Sequence, residues 1–196
     1  MPKKLEITAY EFSELSPEIQ EKVLDEYRYV LIELDNDWYH PIVEGFEEDM
    51  LEYGIDPGVS FNGFGSQGDG ASFISETCDT DLLIRKLYET GHDISENALL
   101  DSKNYSILIR KNDSLHEHEN TMYVNYYTGG GIELFPDEEE KLTNVILEWA
   151  KTKAKELYKN LETYWDELTS DEEIIEYFND NDFLFYENGK VIVRNL

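Results

Sequence analysis

Val59-Ser60-Phe61-Asn62-Gly63-Phe64-Gly65-Ser66-Gln67-Gly68-Asp69-Gly70-Ala71-Ser72-Phe73-Ile74-Ser75 carries two strand-like flanks around a glycine-rich centre. Residues 59–64 and 71–75 have the period of a strand, and the glycines between them interrupt both. The local expectation is a wide hairpin loop over 65–70, with glycines supplying positive φ and Ser66 and Asp69 bonding the nearby backbone. Strands this close in sequence pair antiparallel, which points to an α+β fold.

Downstream, Asp79 to Tyr88 is expected to form a short helix. Tyr105 to Arg110 and Thr121 to Tyr126 add two strands to the antiparallel sheet. Thr128-Gly129-Gly130-Gly131 breaks the chain, and Pro136 opens a long helix whose first turn, Asp137 to Glu140, is wholly acidic and complements the helix dipole. One face of that helix carries Leu142, Val145, Ile146, Trp149, Leu157, Leu161 and Leu168. Thr169 or Ser170 caps a further helix over Asp171 to Phe178, and Phe183 to Val193 forms a terminal hairpin about Asn188-Gly189.

Upstream, Leu5 to Tyr10 alternates and predicts a first strand. Ser16 as N-cap with Pro17 behind it starts an amphipathic helix, carrying Ile19, Val23, Tyr27 and Val30 or Leu31, that ends near Asn36. A second helix from about Asp37 draws on Trp38, Ile42, Phe46, Met50 and Leu51 for its buried face and stops at Gly54, making a helical hairpin with the first. The expectation is one acidic α+β domain over 1–196, an antiparallel sheet packed with an N-terminal helical hairpin and a long C-terminal helix.

The chain has 196 residues, 40% of them hydrophobic and 13% aromatic, enough to fill a core. Its 44 acidic residues against 16 basic ones give a formal charge of -28. A field of that sign repels phosphate backbones and anionic membranes, so direct nucleic-acid binding and membrane association are not expected. The acid is uneven: thirteen carboxylates and no Lys or Arg lie between Arg28 and Arg85, and ten lie between Lys159 and Lys190. Such excess serves solubility, or it shapes a surface for a basic partner. The opening Met1-Pro2-Lys3-Lys4-Leu5-Glu6 lacks a secretory h-region, and Tyr29 to Ile32 is as long as any apolar run gets, so a cytoplasmic protein is expected. A lone cysteine, Cys78, forms no internal disulfide and has no activating neighbour, so an inert thiol is expected.

Ser66, Gln67, Gly68, Asp69, Gly70 and Ser72 are the candidate ligand contacts, because glycines permit close backbone approach and the polar groups converge. The loop lacks the Lys-Ser/Thr ending of a phosphate-binding loop, and no helix follows it for a dinucleotide fingerprint. His116 and His118 would share one face on a strand and, with Asp69 or His92, ligate a divalent metal; the alternative is an exposed polar loop before the next strand. No His-Glu-x-x-His or nucleophile-elbow pattern is present. Tyr123, Tyr126, Tyr127, Trp38 and Tyr39 offer stacking surfaces or, more simply, packing. Glu44, Glu47, Glu48, Asp49 and Glu52 are the candidate partner-binding carboxylates.

Tyr10-Glu11-Phe12-Ser13-Glu14-Leu15-Ser16, Glu26-Tyr27-Arg28, Ser66-Gln67-Gly68-Asp69-Gly70-Ala71-Ser72-Phe73, His116-Glu117-His118, Leu168 to Ile174 and Phe183-Leu184-Phe185 together resemble a bacteriophage and prophage protein family, sometimes labelled antitoxin-like. The Ser-Gln-Gly-Asp-Gly phrase is its most specific part. The resemblance implies a phage setting and transfers no catalytic residue. The function expected is that of a non-enzymatic phage accessory protein, which binds and inhibits a host macromolecule through acidic surface from the 33–81 and 162–187 stretches. Carboxylates would stand in for phosphates in a host protein's basic groove, as in a DNA mimic or anti-defence protein. The alternatives are a nucleotide-like small-ligand or metal-binding module on the 65–73 loop, and a metal-dependent hydrolase.

Overall fold

The computed structural model describes residues 6–129 and 134–192. They form a mixed α+β structure of two antiparallel two-stranded sheets, N-terminal helices and a long C-terminal helix. The chain gathers into two compact units, one from residues 1–38 with 163–196 and one from residues 39–162.

In the first unit, α1 (Pro17–Tyr27) starts behind Ser16 with proline in its first turn, as the sequence predicts. The continuous helix expected to Asn36 is instead broken at residues 28–29, and α2 (Val30–Leu34) follows as a separate short helix. The first strand is likewise reduced: Leu5 lies outside the described residues, and of the described residues 6–10 only Tyr10 makes a bridge, to Phe185. Phe185 also bridges Val191, and Tyr186 donates its N–H to the Lys190 carbonyl, so the terminal hairpin closes, among the described residues, with single bridges. Gly189 turns at φ +83° and packs on Ile19 and Val23, where a Cβ would lie 2.7 Å from Val23 Cγ2. Val193 lies outside the described residues. Phe12, Leu15, Val23, Leu24, Ile174, Phe178 and Phe185 make this unit's core. Ile174 and Phe178 come from a helix over Asp171–Asp180, whose N-cap Ser170 accepts from the Glu173 N–H. Arg28 pairs with Asp171 and donates to the Thr169 carbonyl, tying α1 to that N-terminus.

The second unit opens with α3 (His40–Leu51), which buries Phe46 and Met50. Gly54 at φ +74° then turns the chain into β1 (Ile55–Asn62). The helix that was expected to close a hairpin with the first therefore lies in the other unit and packs on β1. β1 pairs with β2 (Gly70–Cys78) from Ile55↔Cys78 to Asn62↔Gly70, with a bulge at Asp56/Pro57. Asp79 caps α4 (Thr80–Glu89) by accepting from the Leu82 N–H. A short α5 (Glu96–Leu100), not foreseen from the sequence, is capped by Ser95 and precedes β3 (Tyr105–Lys111), which pairs with β4 (Met122–Thr128). Gly129 is described; Gly130 and Gly131 of the expected break are not.

The single expected sheet is thus two ribbons. Where β3 meets β2 and the start of α4, side-chain hydroxyls replace ladder bonds. Ser75 Oγ accepts from the Ile109 N–H (2.8 Å) and donates to the Ile109 carbonyl (3.4 Å), and Thr80 Oγ1 accepts from the Ile107 N–H (2.9 Å). Ser75 is fully buried, so each hydroxyl satisfies backbone groups that water cannot reach. α6 (Pro136–Leu168) buries Leu142, Ile146, Trp149, Ala150, Ala154, Leu157 and Leu161 at helical spacing. The helix over Asp171–Asp180 is α7.

Candidate functional site

The hairpin between β1 and β2 closes through Gly70 N–H to Asn62 Oδ1 (3.2 Å). Within it, Asp69 donates its N–H to the Ser66 carbonyl (3.1 Å), and its carboxylate accepts from the Ser66 N–H (2.6 Å). Gly65 and Gly68 have φ of +109° and +102°. The loop is therefore the self-bonded turn that the residue types allow.

It is also packed by the chain itself. A Cβ on Gly68 would lie 2.5 Å from His116 Nδ1, and one on Gly70 would lie 2.6 Å from both the Glu117 carbonyl and His118 Cβ. Loop and histidines do meet, and the close approach that glycine permits is occupied by 116–118. Ser72 is buried, its hydroxyl donating to Glu117 Oε2 (2.8 Å), while Lys111 pairs with the other oxygen of that carboxylate. From α6, Tyr158 donates to the Gly63 carbonyl (3.1 Å) and stacks on Phe64 with ring centroids 5.5 Å apart. Burial, then the charges of Asp69 and Glu162, hold the Tyr158 phenol above its ordinary pKa. Of the six predicted loop residues, Ser66 and Gln67 face solvent, whereas Gly70 and Ser72 are buried. Neither Glu117's double pairing nor Tyr158 was foreseen, because both join segments far apart in sequence.

His116 and His118 sit in an irregular loop and not on a strand, with rings stacked at 6.2 Å. The Asn120 N–H donates to His118 Nδ1 (3.1 Å), which places the neutral ring's proton on Nε2. While that bond holds, neither nitrogen offers a lone pair to a metal. His92 is occupied elsewhere, its Nδ1 within 3.2 Å of the Leu87 carbonyl. Among the described residues, no group of three His, Cys, Asp or Glu side chains is arranged to hold a metal ion.

The candidate carboxylates lie on α3. Glu44, Glu48, Asp49 and Glu52 are exposed and Glu47 half-exposed, opposite the Phe46 and Met50 face. Glu44, Glu48 and Glu52 follow one another at i, i+4, i+8 and share one line on the helix. Among the described residues, no ion pair involves any of the five. The stacking candidates divide. Tyr39 packs on Phe61 (5.2 Å), Trp38 on Tyr164 (6.2 Å) and Tyr126 on Tyr105 (5.3 Å). Tyr123 and Tyr127 are exposed.

Residues 38–171 match the family model described as a domain of unknown function, DUF8835. The chain belongs to that family. The DUF8835 stretch takes in α3, both ribbons, the 116–118 segment and the whole of the unit formed by residues 39–162. No curated protein and no solved structure matches the chain. In this DUF8835 chain, no described helix is long and apolar enough to cross a membrane.

Proposed function

We propose that the protein is a phage-encoded accessory protein that binds and inhibits a host macromolecule with a basic surface, using the outer face of α3. The observation that carries this is the line of Glu44, Glu48 and Glu52 with Asp49 beside it, exposed on a helix that has no Lys or Arg. Like charges at i, i+4 weaken a helix by about 0.2–0.5 kcal/mol per pair, and here no ion pair among the described residues offsets them. A surface kept at that cost suits a partner that supplies the cations. Regularly spaced carboxylates entering a groove that normally holds phosphates would speed encounter and compete with nucleic acid. The phage setting comes from the sequence resemblance and fits an anti-defence role.

The glycine-rich loop supports a ligand less well, since Gly68, Asp69, Gly70 and Ser72 are already engaged within the chain. The test is capture from bacterial lysate at low and high salt, with two charge-matched variants. One converts Glu44, Glu47, Glu48, Asp49 and Glu52 to the amides; the other, the α7 variant, does the same to Glu172, Glu173, Glu176 and Asp180 of α7 with the nearby Glu187, and leaves Asp171 paired with Arg28. The captured protein should be lost with the α3 variant and at high salt, and retained with the α7 variant. Equal loss with both would reduce the effect to net charge and overturn the assignment to α3.

A further inference from the structure

A small pocket in the larger unit has a chemistry that neither the loop nor α3 uses. It encloses about 220 Å³ between α5, the start of β3 and the start of α6, and is lined by Asn97, Leu100, Asp101, Tyr105, Leu134 and Glu138, with Phe135 at the same site. Asp101 Oδ2 and Tyr105 OH, on two of these residues, are buried without a hydrogen-bond partner. Tyr105 itself is 5% exposed. Tyr126 OH is a third such atom, on a ring 5.3 Å from that of Tyr105. Asp101 and Tyr105 line the pocket and Tyr126 lies behind Tyr105. A buried carboxylate oxygen and a buried phenol without partners are costly in a folded protein, and a group bound in the pocket that supplies donors relieves both.

The lining selects the sign of that group. No Lys or Arg lines the pocket, whereas Asp101 and Glu138 both do, and Glu138 is held in place by the Asn97 amide (3.0 Å). Burial, followed by the charge of Asp101, raises the pKa of Tyr105; burial and the neighbouring Tyr105, Glu139 and Asp101 raise that of Tyr126. Both phenols therefore stay protonated at neutral pH, each with an O–H to give and lone pairs to accept. Leu100 and Phe135 stand at the pocket exposed, at 82% and 74%, and offer apolar surface to a short alkyl stem. An aromatic ring beside carboxylates also attracts a cation through its π face.

We propose that this pocket binds a compact organic cation, an ammonium or guanidinium group on a short alkyl stem, with its head toward Asp101 and Tyr105 and its stem against Leu100 and Phe135. The volume admits one such group and is small for a nucleotide. The cation's source is either a free small amine or a basic side chain of a partner. The site is independent of the α3 reading.

The test is calorimetric and NMR titration of the full chain at about 0.15 M salt, where long-range attraction to the acidic protein is screened. The probes are n-butylammonium, n-butylguanidinium and Nα-acetyl-lysinamide, with n-butanol and butyrate as neutral and anionic counterparts. Saturable one-to-one binding of the cations is expected. Asp101→Asn should weaken it about tenfold or more, as for loss of a hydrogen bond to a charged group. Phe135→Ala, at an exposed position that folding does not need, should weaken it too. Binding of acetyl-lysinamide as well as the free amines assigns the site to a side chain, and binding of the free amines alone assigns it to small molecules. Equal binding of n-butanol, no saturable binding, or binding unchanged in both variants overturns the proposal. The α3 amide variant should bind the amines as wild type does, so failure here and failure of the α3 reading remain separate results.

Discussion

At the scale of single residues, the glycines of the 63–70 loop do different jobs, and their substitutions should differ accordingly. Gly65 has open space around it, so Gly65→Ala meets only the strain of a positive φ, about 1–2 kcal/mol. Gly68→Ala adds a collision with His116, and Gly70→Ala drives a methyl into the backbone of 117–118. Urea denaturation should find Gly70→Ala destabilising by about 1–3 kcal/mol, the usual range for overpacking, because its methyl meets backbone, and Gly68→Ala little costlier than Gly65→Ala, because the exposed His116 ring can turn aside. The sequence offered the glycines as room for a ligand, and two of them turn out to make room for the chain. Composition could not show this, because the segment that fills the space lies some fifty residues away. Cys78 is the converse case, where the sequence expectation of an inert thiol agrees with its surroundings. Burial first, and then the charge of Asp79, push its pKa up to about 11 against a bond to Thr80. Iodoacetamide at pH 8 should modify it slowly in the folded protein and rapidly in denaturant.

At the scale of elements, helices and strands with local signals were legible and the breaks between them were not. Ser16-Pro17, Asp79, Pro136 and Ser170 mark real helix starts, since a cap or an N-terminal proline acts within one turn. The apolar spacing of Ile19 to Leu31 runs on through residues 28–29, so periodicity alone concealed the division of α1 from α2. Alternation found all four strands yet could not separate one sheet from two ribbons, because pairing is set by partners and not by pattern. α3 joins stability to the proposed binding. Converting Glu44, Glu48 and Glu52 to glutamine should raise the thermal midpoint slightly by removing two i, i+4 repulsions, while weakening capture of the basic partner. A variant that lost stability and binding together would place those carboxylates in folding instead.

At the scale of the whole molecule, the charge of -28 acts as a field, and salt should raise the thermal midpoint between about 0.01 and 0.15 M by screening self-repulsion. Acid has two opposed effects. Protonation relieves the repulsion, but Asp81 is held below the ordinary carboxylate range by its bond from Ser102 and then by Arg85. A depressed folded pKa contributes stability that is full above the unfolded value, about 3.9, and is lost as pH falls through the folded one. Asp81→Asn should therefore destabilise at pH 7, and the difference from wild type should shrink as pH falls below the ordinary carboxylate range in melts across pH. The pocket at Asp101 was illegible in the sequence because its parts come from three elements, and of its lining Tyr105 and Glu138 had drawn notice only as a strand start and as part of an acidic first turn. The hydroxyls that Ser75 of β2 and Thr80 of α4 present to β3 also determine how the larger unit breathes. Amides within a ribbon are locked by a ladder, whereas those of Ile107 and Ile109 are each held by one side-chain oxygen. Native-state deuterium exchange would see these two protons leave before the ladder amides, that of Ile109 timing the parting of β3 from β2 and that of Ile107 its parting from α4, separately from the melting of either ribbon.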